Sequence, residues 1–288
     1  MRGTQSLLYI CADAWRRPGI LVRELLWRWA FGIPAALIIA YQLSRVAANV
    51  PAELNGLSLT DPFQAAQQLT NVAVALKPEL VRLASWLCPL LAVAWAIVSG
   101  LGRTAVLKRL DASLQRAPFT LILLQLLRIV ALIAVFLGWY RATQWASNAT
   151  LDSNPPNLVG WSAFVICLSL AVFVLWALLS WIFSIAPLLA MLENKGAASS
   201  LKRSFRLGPL TAKLVEVNLV LGIVRLALIV LAMVFSAIPL PFITGPSGMG
   251  LYLWWALGTL LYLVAGDFFQ VVRLAAFIQF WRFYCGQQ

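Results

Sequence analysis

Apolar residues in this chain gather into six long runs separated by short polar and basic stretches. The runs extend from about Trp29 to Ala47, Ser85 to Leu101, Phe119 to Tyr140, Leu158 to Leu192, Leu214 to Leu240 and Leu251 to Phe280. A helix needs about 20 mainly apolar residues to cross the hydrocarbon of a bilayer, where every backbone polar group must be satisfied inside the segment. Six transmembrane helices are therefore expected. The fourth and sixth runs exceed that minimum, so each is tilted, kinked or continued beyond the bilayer. Pro34, Pro89 and Pro187 fall inside spans, where a missing N–H and a ring clash predict kinks.

Between the runs the pattern changes period. Leu7, Cys11 and Trp15 share one helical face, as do Leu107, Leu110 and Leu114, and again Ala197, Leu201 and Phe205, with cations elsewhere around each segment. Apolar residues at spacings of three and four opposite Lys and Arg predict short helices lying in the membrane interface. A basic segment, a span, an outer loop and a second span then recur three times. Leu107-Lys108-Arg109 returns as Leu201-Lys202-Arg203, 94 residues on, and Arg17-Pro18 returns as Arg116-Ala117-Pro118. The expected fold is an all-α polytopic transmembrane bundle: six spans as three parallel helical hairpins with amphipathic interfacial helices. It forms a single integral membrane domain over residues 1–288, with approximate repeats 1–101, 102–192 and 193–288. The first outer loop, about Ala48 to Ala84, carries turn signals at Pro51, Asn55, Gly56, Asp61 and Pro62 and a short Ala- and Gln-rich helix over Phe63 to Leu76. The second runs from about Arg141 to Asn157 and the third from Pro241 to Gly250.

Composition agrees and adds an orientation. Of 288 residues, 62% are hydrophobic and 11% charged, against about 45–50% and about 25% in soluble globular proteins. Lys and Arg number 22 and Asp and Glu 10, a net charge of +12. Fifteen of the 22 cations fall on one side of the predicted spans, and only Arg45, Lys77, Arg82 and Arg141 on the other. The positive-inside rule makes the basic side cytoplasmic and puts both termini there. Asp13, Arg16, Arg17, Arg23 and Glu24 break up the first apolar stretch, so the N-terminus does not read as a cleavable signal peptide. The basic stripe faces lipid headgroups, and Arg16, Arg17, Lys108, Arg109, Lys202, Arg203 and Arg206 are candidates to bind them. Each basic residue near an anionic surface contributes about 1 kcal/mol. A membrane or cytoplasmic protein partner could use the same face. Nucleic acid is not an expected partner, because no basic soluble domain carries the charge.

A few ionisable residues remain inside the spans: Arg128, Arg225, Asp267 and Arg273, with Glu216 nearer an end. Each costs about 2.5–3.5 kcal/mol at a helix centre, so each needs a partner or a polar cavity. Asp267 and Arg273 are six apart and do not face each other, so Asp267 looks to another span, with Arg128 or Arg225 the natural partner. These five residues serve either as structural ion pairs that fix helix register or as a substrate, ion or lipid-headgroup site, as in a small transporter or channel, with catalysis the least expected role.

Motifs for chemistry fail on inspection. The chain has no histidine, which removes imidazole bases, His-ligated metals and haem. Gly245-Pro246-Ser247-Gly248 has the GxSG spacing of an intramembrane serine protease but no base to activate the serine. Gly266-Asp267 lacks both the first glycine and the second aspartate of an aspartyl dyad. Cys11, Cys88, Cys167 and Cys285 are too scattered for a zinc site. No enzyme activity, metal or cofactor is expected.

One segment resembles a known family. Ala186-Pro187-Leu188-Leu189-Ala190-Met191-Leu192-Glu193, followed by Ala198-Ser199-Ser200-Leu201-Lys202-Arg203-Ser204-Phe205-Arg206-Leu207, is similar to the six-span membrane domain found beside bacterial glycerophosphoryl diester phosphodiesterases, and in related stand-alone membrane proteins of unknown function. Pro187, Glu193 and Ser204 carry the likeness. It implies a membrane module of a bacterial inner membrane, with the phosphodiesterase chemistry belonging to a separate domain. Glu193 would cap or pair with the basic helix after it.

Overall fold

The computed structural model describes residues 3–49, 62–152, 155, 157–205, 210–237 and 249–285. Among these there are eight helices and no strand: α1 (Gly3–Arg16), α2 (Pro18–Asn49), α3 (Pro62–Leu110), α4 (Pro118–Thr150), α5 (Leu158–Leu192), α6 (Ala197–Ser204), α7 (Leu210–Ala237) and α8 (Met249–Cys285). Six contain segments long and apolar enough to cross a membrane: Pro18–Ala48, Val74–Leu110, Pro118–Thr150, Leu158–Leu192, Leu214–Phe235 and Gly250–Phe283.

The helices outrun their apolar cores. α3 begins at Pro62, so Phe63 to Leu76 is its first part and not a separate element. Proline suits a first helical position, where its missing N–H is not needed, and the Ala, Leu, Gln and Lys that follow are good helix formers even where hydropathy has faded. The turn signals at Pro51, Asn55, Gly56 and Asp61 lie outside the described residues. α4 likewise continues to Thr150, shrinking the second loop to 151–157. That loop ends at Asn157, whose side chain accepts from the Gly160 N–H at 2.8 Å and caps α5. Asn154, Pro156 and the third loop through Gly248 lie outside the described residues. Pro34, Pro89 and Pro187 sit within continuous helices.

The chain divides into two compact units, Trp27–Ser99 and Met1–Leu26 together with Gly100–Gln288. In the smaller unit α2 and α3 form an antiparallel hairpin, with the Trp95 ring 5.5 Å from Trp27 and 5.2 Å from Phe31. In the larger unit α4 and α5 pair along a descending ladder. Trp145 meets Phe164 at 5.7 Å, Trp139 donates to Ser169 Oγ at 3.0 Å, and Arg128 donates to Ser180 Oγ at 3.4 Å. α7 and α8 also pair, with Phe235 stacked on Trp254 at 3.9 Å and the Trp254 indole N–H donating to the Phe235 carbonyl at 2.8 Å.

Burial in the larger unit is concentrated at one end of its helices. It covers Leu121 and Leu124 at the start of α4, Ile185 to Met191 at the end of α5, Leu214 and Val217 of α7, and Val271, Val272 and Phe277 of α8. α1 packs on α8, burying Ile10 and Ala14, while Trp15 touches Phe268 by an edge yet stays 75% exposed. Of the face shared by Leu7, Cys11 and Trp15, Cys11 is half-buried and Trp15 exposed, and Leu7 lies outside the side chains described. α6 packs on α4 and α5 through Ala197, Ser200 and Ser204, leaving Phe205 exposed and Leu201 half-buried. Small residues let its backbone approach closely, and they win over the larger apolar pair. The second basic connector is not a helix of its own. Leu107 and Leu110 belong to the last turns of α3, and Leu114 lies in the turn beyond.

Candidate functional site

Arg17 precedes Pro18, and a residue before proline is pushed out of the helical region. α1 accordingly stops at Arg16 and α2 starts at Pro18, which places Arg23 in the second turn of α2. At the end of α3, Val106 and Leu107 are fully buried, so Lys108 and Arg109 of the same turns stand on the outer side. Arg116 follows in the turn leading to Pro118. Together these segments surround a cavity of about 500 Å³ lined by Arg23, Lys108, Arg109 and Arg116, with Thr104 and an apolar wall of Leu101, Ala105 and Pro118. A second cavity of about 290 Å³ is lined by Arg17, Gly19, Ile20 and again Arg109. Among the described residues, neither is lined by a carboxylate. Guanidinium and ammonium groups gathered this densely suit a phosphate, and the apolar wall on one side suits an amphiphile.

The predicted headgroup residues are thus only partly brought together. Arg17, Lys108 and Arg109 line the cavities, with Arg17 also held by Asp13 at 3.2 Å. Arg16 is exposed and lines neither. Lys202 and Arg203 lie on α6, and Arg206 falls outside the described residues. Arg23, Arg116 and Thr104 were not among the sequence candidates. The available signal was the recurrence of Arg17-Pro18 as Arg116-Ala117-Pro118, which puts Arg116 just before the hairpin that starts at Pro118.

The segment carrying the family resemblance forms a defined corner. Pro187 is buried near the end of α5. Glu193 caps that helix, Asn194 takes a left-handed backbone with φ 49°, and the Lys195 N–H donates to the Ala190 carbonyl at 3.3 Å. This is a Schellman ending with asparagine in the place glycine usually fills. The Glu193 carboxylate accepts from Lys195 Nζ at 2.6 Å and lies 3.5 Å from Arg203 Nε, tying the corner to α6. Ser204 is buried and donates back to the Leu201 carbonyl at 2.6 Å.

Sequence reasoning did not single out Asp111. Its side chain is 7% exposed. One carboxylate oxygen accepts from the Ser113 N–H at 3.0 Å and from its hydroxyl at 2.7 Å. The other accepts from Arg282, which also donates to Ser113 Oγ at 3.0 Å. Burial opposes ionisation, but Ser113 and the Arg282 guanidinium favour the carboxylate more, and its pKa lies below the ordinary value. The Gln115 N–H donates to the Met191 carbonyl at 3.4 Å, so this turn joins the ends of α3, α5 and α8. An Asp two residues before a Ser is the only local signal for such a turn.

The charges inside the spans lie on α4, α7 and α8. Arg128 is half-buried and donates to Ser180. Asp267 is buried on α8, and Arg273 lies over the Phe277 ring with its guanidinium carbon 5.8 Å from the centroid. Arg225 and Glu216 are exposed on α7.

Six apolar helices paired in consecutive hairpins define a multi-pass membrane protein. No family model, curated protein or solved structure matches the chain.

Proposed function

We propose that this protein is a non-enzymatic module of a bacterial cytoplasmic membrane that engages anionic lipid headgroups at its basic end, with both termini on the cytoplasmic side. The observation that carries this reading is the pair of cavities sharing Arg109. Among the described residues, five cations and no carboxylate line them, beside the apolar Ile20, Leu101, Ala105 and Pro118. The positive-inside distribution supports the orientation, and the resemblance carried by Pro187, Glu193 and Ser204 supports a membrane module acting among phospholipids. A transport role would place the intramembrane charges around a polar path. Neither basic cavity is lined by Arg128, Arg225, Asp267, Arg273 or Glu216, so a lipid site there does not depend on the intramembrane charges.

The test is lipid retention by the purified protein, counted by native mass spectrometry. Each basic residue contributes about 1 kcal/mol at an anionic surface. Replacing Lys108, Arg109 and Arg116 together by Gln therefore removes about 3 kcal/mol, roughly a hundredfold in affinity for phosphatidylglycerol. A folded triple variant that keeps its phosphatidylglycerol would overturn the reading.

A further inference from the structure

We propose that the α2/α3 hairpin carries a second site, one that takes a phosphate joined to an ammonium group, the headgroup chemistry of an amino-phospholipid. Gln42 and Arg45 of α2 and Glu79, Arg82 and Trp86 of α3 line a cavity of about 210 Å³ within the smaller unit. At about 30 Å³ per water that is room for some seven waters, a space for a headgroup and less than the about 300 Å³ where drug-sized sites begin. Arg45 is steadied over the Tyr41 ring, 5.8 Å from guanidinium carbon to centroid. Glu79 and Arg82 stand three residues apart on one helix, a spacing at which opposite charges commonly pair. Yet neither they nor Arg45 form an ion pair with another described residue.

Two guanidiniums and one carboxylate around a single cavity select by charge. A simple anion is repelled by Glu79 and a simple cation by Arg45 and Arg82. A group bearing both signs on a short linker satisfies all three, its phosphate on the guanidiniums and its ammonium donating to Glu79. A primary ammonium has three N–H donors for that carboxylate, whereas a quaternary one has none. Val46 and Leu83 extend the lining as an apolar wall on spanning helices, so the ligand comes from the bilayer as a lipid and not from solution.

The experiment uses the full chain in detergent, titrated with phosphatidylethanolamine, phosphatidylcholine and phosphatidylglycerol, with bound lipid counted by native mass spectrometry. Wild type is expected to hold phosphatidylethanolamine about tenfold better than phosphatidylcholine, the worth of one charge-assisted hydrogen bond. Glu79→Gln is expected to erase that preference. Arg82→Gln is expected to weaken phosphatidylethanolamine binding, and the Lys108, Arg109 and Arg116 triple variant to leave the preference intact, which separates this site from the basic cavities. Both single substitutions fall at exposed helix positions, and far-UV circular dichroism confirms their folding. Equal binding of the two zwitterionic lipids by wild type, or an unchanged preference in folded Glu79→Gln, would refute the site. Displacement of bound lipid by free phosphoethanolamine at equal concentration would overturn the bilayer as the source.

Discussion

The two halves of α5 have nearly the same composition and opposite surroundings. Leu170 is 61% exposed and Phe173 70%, while Leu189 is 1% exposed within an almost unbroken buried run from Ile182 to Met191. Hydrophobicity alone cannot separate them, because lipid tails are as apolar as a leucine core and give helices no hydrophobic reason to associate in mid-membrane. The buried half is where helices meet at the end of the larger unit. It sits beside backbone ties such as Gln115 to Met191, a capped corner and a buried carboxylate. Burial in the larger unit is deepest where its helix ends meet.

The sharpest way to break that contrast is one substitution made in both halves. Leu189→Ala should cost about 2–5 kcal/mol of unfolding free energy and Leu170→Ala less than about 0.5 kcal/mol, measured by denaturant titration in detergent and followed by circular dichroism. Equal losses would erase the distinction. A smaller effect is expected from overfilling a close approach. A Cβ on Gly100 would stand 2.9 Å from the Ile122 backbone nitrogen, whereas one on Gly138 would meet nothing within 4 Å. Gly100→Ala should therefore destabilise by about 1–3 kcal/mol, and Gly138→Ala should be neutral or stabilise by up to about 1 kcal/mol through helix propensity, read as opposite shifts in melting temperature. The smallest effect concerns Asp111. Its pKa is lowered in the folded protein, so its contribution is complete above the ordinary carboxylate pKa and is lost as pH falls through the lowered value. Because Arg282 is 54% exposed and screened, the loss should be about 1 kcal/mol. Asp111→Asn should remove this part of the pH dependence in melting curves recorded toward acid pH.

The six spans could be read directly from the sequence because lipid imposes a length and a composition that water-soluble folds do not. Their ends could not. Hydropathy marks where a helix leaves hydrocarbon, not where it stops, and the polar residues Arg141 to Thr150 continue α4 because nothing breaks it. The basic side of the chain was equally plain, yet which cations converge was not. Arg23 and Arg116 are 93 residues apart in sequence, and only the turn after α3 brings them to one cavity. Which residues of α1 and α6 pack on the other helices could not be read from the pattern, because it ranks residues by hydrophobicity, whereas close helix packing selects small ones such as Ala14, Ala197 and Ser200.

The tie between Asp111 and Arg282 also sets a clock. The two residues are 171 positions apart. At about 5–20 residues per second on the ribosome, Asp111 waits roughly 10 to 30 seconds for its guanidinium to be synthesised. Through that interval the Asp111 carboxylate has Ser113 beside it but no guanidinium, so the tie between the ends of α3 and α8 can form only after translation has passed α8.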